Sequence, residues 1–151
     1  MVITSLAFEN QGKIPVEYTC NGENVSPPLL ISGVPEEAQS LALILEDPDV
    51  PKSFKPDGLF VHWLAWDIPP DITELPEGIE PPGVIGQNGA GKAGYTGPCP
   101  PDREHRYFFK LFALDTLLTD ARIANREDLL KAMEGHILAE AELVGKYEQI
   151  K

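Results

Sequence analysis

Prolines and glycines decide what this chain can fold into. Fifteen prolines and 13 glycines are spread through 151 residues. Proline fixes φ and removes a backbone donor, so each one bars a helix interior or a central strand at its position. What survives between them is a series of short apolar runs at residues 2–8, 27–33, 41–46, 60–68 and 105–114. "LALILE" (41–46) is almost continuously apolar, the signature of a strand covered on both faces, and it stops at "DPDVP". In "FVHWLAWDI" (60–68) the period of two sends Trp63 and Trp66 to opposite faces.

Only residues 125–137 read as a helix. Asn125 is placed to cap it, acids fill its first turn, and Leu130, Met133 and Ile137 recur at helical spacing. The chain then returns to alternation, with Ala139, Ala141 and Leu143 opposed to Glu140 and Glu142, which predicts a closing strand. Residues 69–101 hold no convincing element, and a loop of that length inside a compact domain is often functional. Strands outnumber helices and no βαβ alternation occurs. The expected fold is mostly β: an antiparallel β-sandwich with one or two peripheral helices, forming a single domain over residues 1–151.

The formal net charge of −12 argues against a nucleic-acid partner and against adhesion to an anionic membrane surface, since no basic stripe offsets it. No run approaches the length that spans a bilayer, so no membrane insertion is expected. The start "MVITSLAFEN" lacks a basic segment followed by an apolar one, and a cytoplasmic location is expected. Two cysteines, Cys20 and Cys99, are too few for a zinc cage; in a reducing compartment they are expected as free thiols.

Polar residues with chemistry gather where predicted strands meet loops: Asp47 and Asp49 after the 41–46 run, His62 within the next, and His105 with Tyr107 at the start of the last. Extended backbone would point Asp47 and Asp49 the same way, and the same parity puts His105 and Tyr107 on one face. Taken singly, each has a plainer role: D-P-D is an ordinary turn whose aspartates bond their own backbone, and His62 beside Trp63 suits a core. Their co-occurrence, in a chain with three histidines, points to a shared pocket. A histidine held protonated by an aspartate can face an anion, with backbone N–H groups of the Gly-rich loop completing the cradle. His136, without such a context, is read as structural. "GQNGAGK" (86–92) has the letters of a phosphate-binding loop, but Ala93 stands in place of Ser or Thr and "GYTGPCPP" cannot begin a helix.

"YTCNGENVSPPL", "LALILEDPDVP", "FVHWLAWDIP", "GYTGPCPP", "HRYFFKLFALD" and "MEGHILAEAELVGKYE", in that order, resemble the phosphatidylethanolamine-binding protein family, in its bacterial and archaeal branch of Raf-kinase-inhibitor-like proteins. The resemblance covers almost the whole chain. It implies an antiparallel β-sandwich with a small anion pocket near one edge, and places Asp47, Asp49, His62, Gly97, Pro98, His105 and Tyr107 at that pocket. It also implies no metal or other cofactor, a candidate cis bond at Val50–Pro51, and a homodimer as the assembly. The function expected is non-catalytic binding of phosphate, phosphoethanolamine or a similar small anion, with a signalling or regulatory role. Inhibition of a protease or kinase through the loops is the alternative. A metal-dependent hydrolase built on Asp47, Asp49, His62 and His105 ranks below both, and Cys99 as a nucleophile lower still.

Overall fold

A computed structural model describes residues 1–149. Its elements are β1 (Val2–Thr4), β2 (Gly12–Lys13), a 3-10 turn (Val16–Tyr18), β3 (Leu29–Ser32), β4 (Ser40–Asp47), β5 (Phe60–Ile68), β6 (Glu74–Leu75), β7 (Val84–Ile85), β8 (His105–Leu114), α1 (Arg126–Met133) and β9 (Ile137–Tyr147). Two sheets result. One has the order β1-β3-β6, the other β2-β9-β8-β4-β5-β7. Pairing is antiparallel except between β2 and β9. The expected mostly-β sandwich is the fold observed, and of the one or two peripheral helices expected, one is present among the described residues.

The alternation within β4 and β5 explains the layering. Leu41, Leu43, Leu45, Trp63 and Phe109 meet Ile3, Leu29, Ile31 and Leu75 of the small sheet in one buried cluster. Ala42, Ile44, Leu64 and Trp66 turn the other way, onto Leu118 and onto Leu129 and Met133 of α1. The large sheet is therefore covered on both sides, which is why every residue of β4 is buried. At Asp67 the alternation slips: φ is 54°, and Ile68 joins the Trp63 side of the sheet.

Several expectations are corrected. The opening strand ends at Thr4, because the Ser5 hydroxyl accepts the Ala7 N–H and turns the chain out of the ladder. The helix ends at Met133, short of Ile137: Gly135 takes φ 79° and Ile137 opens β9. The long segment 69–101 contributes the two-residue strands β6 and β7. Cys20 and Cys99 are joined in a disulfide with a Cα–Cα distance of 5.5 Å, so neither is a free thiol. The described residues contain no cis peptide bond, so Val50–Pro51 is trans. "GQNGAGK" closes as a small loop, with Asn88 Oδ1 accepting the N–H groups of Ala90 and Lys92 and a bridge between Gln87 and Ala93. Among the described residues no helix is long and apolar enough to cross a membrane.

Candidate functional site

Strands β4, β5 and β8 are neighbours, and their residues at one end border a cavity of about 400 Å³. Asp47 is the last residue of β4, His105 is the first of β8, and His62 is the third of β5. The loop after Tyr95 closes the cavity with Thr96, Gly97 and Pro100, while Val50, Phe54 and Lys55 come from the loop after β4. Phe54 is 66% exposed and stands at the rim.

His105 is the centre of the polar wall. It is fully buried, its Nδ1 lies 2.6 Å from Asp47 Oδ2, and its Nε2 lies 2.7 Å from Asp102 Oδ1. Ionised carboxylate oxygens only accept, so the ring fits between them with hydrogen on both nitrogens. Burial pushes the Asp47 carboxyl above its ordinary range, against the hydrogen bonds it accepts from His105 and the Asp49 N–H. For Asp102, partial desolvation pushes upward, but the hydrogen bond and charge of His105 outweigh it and hold the carboxyl below its ordinary range. Asp102 belongs to the Pro-rich turn three residues before His105, and its side chain is 39% exposed.

His62 is in a different state. Its Nδ1 is 2.7 Å from the Thr96 carbonyl oxygen, which only accepts, so that nitrogen donates. Its Nε2 is buried without a partner. Burial first, and the neighbouring His105 charge after it, lower its pKa to about 4, while the Thr96 contact opposes them. The ring lies 4.7 Å from that of Phe60 and edge-on to Tyr107 at 5.3 Å. His62 is thus a neutral acceptor, and His105 is a donor on both sides.

The expected site residues divide. Asp47, His62, Gly97 and His105 line the cavity. Tyr107 stacks on His105 at 6.4 Å as the shared parity predicts, but it lies beneath the cavity wall, with its hydroxyl unpartnered and pushed up in pKa by burial and by Asp47. Asp49 does not point with Asp47. The chain leaves the strand at Pro48, and Asp49 takes the Arg106 guanidinium at 2.8 and 2.9 Å, a pairing that lowers its pKa. Pro98 is buried and gives its carbonyl to the Cys20 N–H.

The loop's N–H groups are also engaged: Thr96 donates to the His62 carbonyl, and Gly97 donates to Asn24 Oδ1 at 2.7 Å. The cradle expected from that loop is therefore closed at these two positions. Gly97 is required for packing, because a Cβ there would collide with the Tyr18 carbonyl and the Asn24 side chain. His136, read as structural, bonds Asp115 at 2.8 Å away from the cavity.

Sequence reasoning missed Asp102, Lys55 and Thr96. Asp102 carried a signal, its i,i+3 spacing to His105 across a turn; Lys55 and the Thr96 carbonyl depend on loop paths that no periodicity reveals.

Comparison with known proteins agrees with this architecture. The sequence profile described as phosphatidylethanolamine-binding protein matches residues 4–148. A UPF0098 protein of Chlamydia muridarum is 51% identical over 149 residues, covering 99% of both chains. A UPF0098 protein of Methanothermobacter thermautotrophicus is 50% identical, again covering 99% of each. Among solved structures, a Chlamydia trachomatis protein described as a phosphatidylethanolamine-binding protein homolog superposes with a TM-score of 0.95 at 50% identity, covering 99% of this chain and 97% of its own. YbcL of E. coli, described as a member of the mammalian PEBP family, gives a TM-score of 0.84 at 31% identity, with 98% of each chain covered. The chain belongs to the phosphatidylethanolamine-binding protein family.

Proposed function

We propose that this member of the phosphatidylethanolamine-binding protein family binds a small oxyanion, phosphate or a phosphorylated head group, in the hollow beside His62 and His105, and does no chemistry on it. The observation that carries this reading is the buried imidazole of His105, doubly hydrogen-bonded to carboxylates at the wall of a cavity of about 400 Å³. The His105 Nε2–H, held by the partly exposed Asp102, is a charge-assisted donor that an incoming oxyanion can take over, and Lys55 on the cavity lining carries an ammonium. Mostly apolar walls, including Phe54, Phe60 and Pro101, lower the local dielectric and strengthen such contacts.

Binding without catalysis is favoured by the disposition of the reactive groups. The Cys99 sulfur is held in the disulfide, which removes it as a nucleophile. Asp49 is committed to Arg106, and among the described residues no three His, Cys, Asp or Glu side chains gather in an arrangement that could hold a metal. A cytoplasmic location would have to accommodate the Cys20–Cys99 bond, which reducing compartments rarely preserve outside hyperthermophiles.

Isothermal titration with phosphate and with O-phosphoethanolamine tests the reading. Binding is expected within the range pH ~5 to ~8, and lost in His105→Ala. Failure of both ligands to bind anywhere in that range would count decisively against it.

A further inference from the structure

We infer that the hollow accepts an oxyanion only when the oxyanion brings an acidic hydrogen of its own, so that a phosphomonoester monoanion is bound and the matching sulfate ester is refused. The inference rests on the anion-binding reading above and specifies which anions satisfy it.

The argument is a count of hydrogens and lone pairs around the cavity. From β5, His62 offers a lone pair: Nδ1 keeps its hydrogen on the Thr96 carbonyl, and Nε2 is buried and bare. From β4, Asp47 offers only acceptors when ionised, and both of its oxygens already receive hydrogens, Oδ1 from the Asp49 N–H and Oδ2 from His105. From the closing loop, the Thr96 and Gly97 N–H groups point to the His62 carbonyl and to Asn24. From β8, both nitrogens of His105 are taken, and the Tyr107 hydroxyl lies beneath the wall near Asp47. The charged donors left for a ligand are the ammonium of the lining residue Lys55 and the His105 Nε2 hydrogen once a ligand oxygen replaces the partly exposed Asp102 carboxylate. Neutral donors such as the Thr96 hydroxyl also belong to the lining, and none of these groups reaches His62 Nε2.

That replacement exchanges one anion for another, so the hollow takes a singly charged ligand with no change in its net charge. It leaves the bare His62 nitrogen unsatisfied. A fully ionised oxyanion sets an oxygen lone pair against it, while an oxyanion with one remaining O–H gives that hydrogen to it. A buried acceptor that meets another acceptor loses binding steeply, whereas one that meets a donor gains it. Lowered proton affinity keeps His62 from supplying the hydrogen itself above about pH 4.

Methyl phosphate and methyl sulfate separate the possibilities. Near pH ~5.5 each carries mainly one negative charge in nearly the same shape, and only the phosphate ester retains a hydrogen. Calorimetry on the full chain is expected to show methyl phosphate binding at least about tenfold more tightly at that pH. The advantage should vanish near pH ~8, where the phosphate ester has lost its second proton. Equal affinity at the lower pH, or an advantage that persists at the higher one, overturns the inference and leaves the anion-binding reading standing. If neither ester nor inorganic phosphate binds, the anion-binding reading fails and the inference with it.

Discussion

His62 couples the site to stability. In the unfolded chain an imidazole titrates at 6.5, but in the fold it is held to about 4, chiefly by burial. Between those values the unfolded state binds more protons, so this contribution is complete above pH 6.5 and is lost as the pH falls through about 4. The shift corresponds to roughly 3 kcal/mol. Asp49, lowered by Arg106, adds to the loss at more acid pH, while Asp47, raised by burial, acts in the opposite sense because the fold holds its proton more tightly. Urea unfolding across this range should therefore show wild-type stability declining toward acid, and His62→Gln, which keeps a donor for Thr96 and does not titrate, should flatten the decline. Identical slopes for the two proteins would remove His62 from the account. At this scale the sequence was informative where a residue sits on a strand, as with His62, His105 and Tyr107. It was silent where a turn chooses the direction: Asp47 and Asp49 diverge because Pro48 breaks the extended backbone between them.

Among elements, the segment that closes the cavity is held unusually firmly for a proline-rich loop. Tyr95 gives its hydroxyl to the Tyr18 carbonyl, Gly97 is fixed by Asn24, the Pro98 carbonyl takes the Cys20 N–H, and Cys99 is bonded to Cys20. The disulfide joins positions 79 residues apart. A crosslink closing a loop of that length restricts the unfolded chain by roughly 4 kcal/mol in the chain-entropy account. Cys99→Ser should lower the unfolding midpoint accordingly and weaken phosphate binding, since the loop carrying Thr96 loses one tether. An unchanged midpoint would show that the other contacts suffice. The long strands were readable because eight to eleven residues are enough to leave a pattern, an unbroken apolar run in β4 and alternation in β9 among them. The two-residue strands β2, β6 and β7 have no period to read, and the disulfide joins segments whose proximity arises only after the sheets pack. The helix was placed correctly at its start, where the Asn125 side chain accepts the Asp128 N–H. It was overextended at its end, because Ile137 fits the helical spacing and the outer strand equally well.

For the molecule as a whole, a chain of formal charge −12 is an unpromising host for an anion. The proposed resolution is local: a sandwich that brings the ends of three neighbouring strands together can bury one imidazole between carboxylates while the acidic surface faces water. With three histidines in the chain, His136 on Asp115 serves as an internal control. The decisive measurement is the titration of ¹⁵N-labelled imidazole signals with phosphate. The account predicts that the nitrogens of His62 and His105 shift together and saturate with one affinity while those of His136 stay still. Response of only one of the pair, or equal movement of all three, would contradict it.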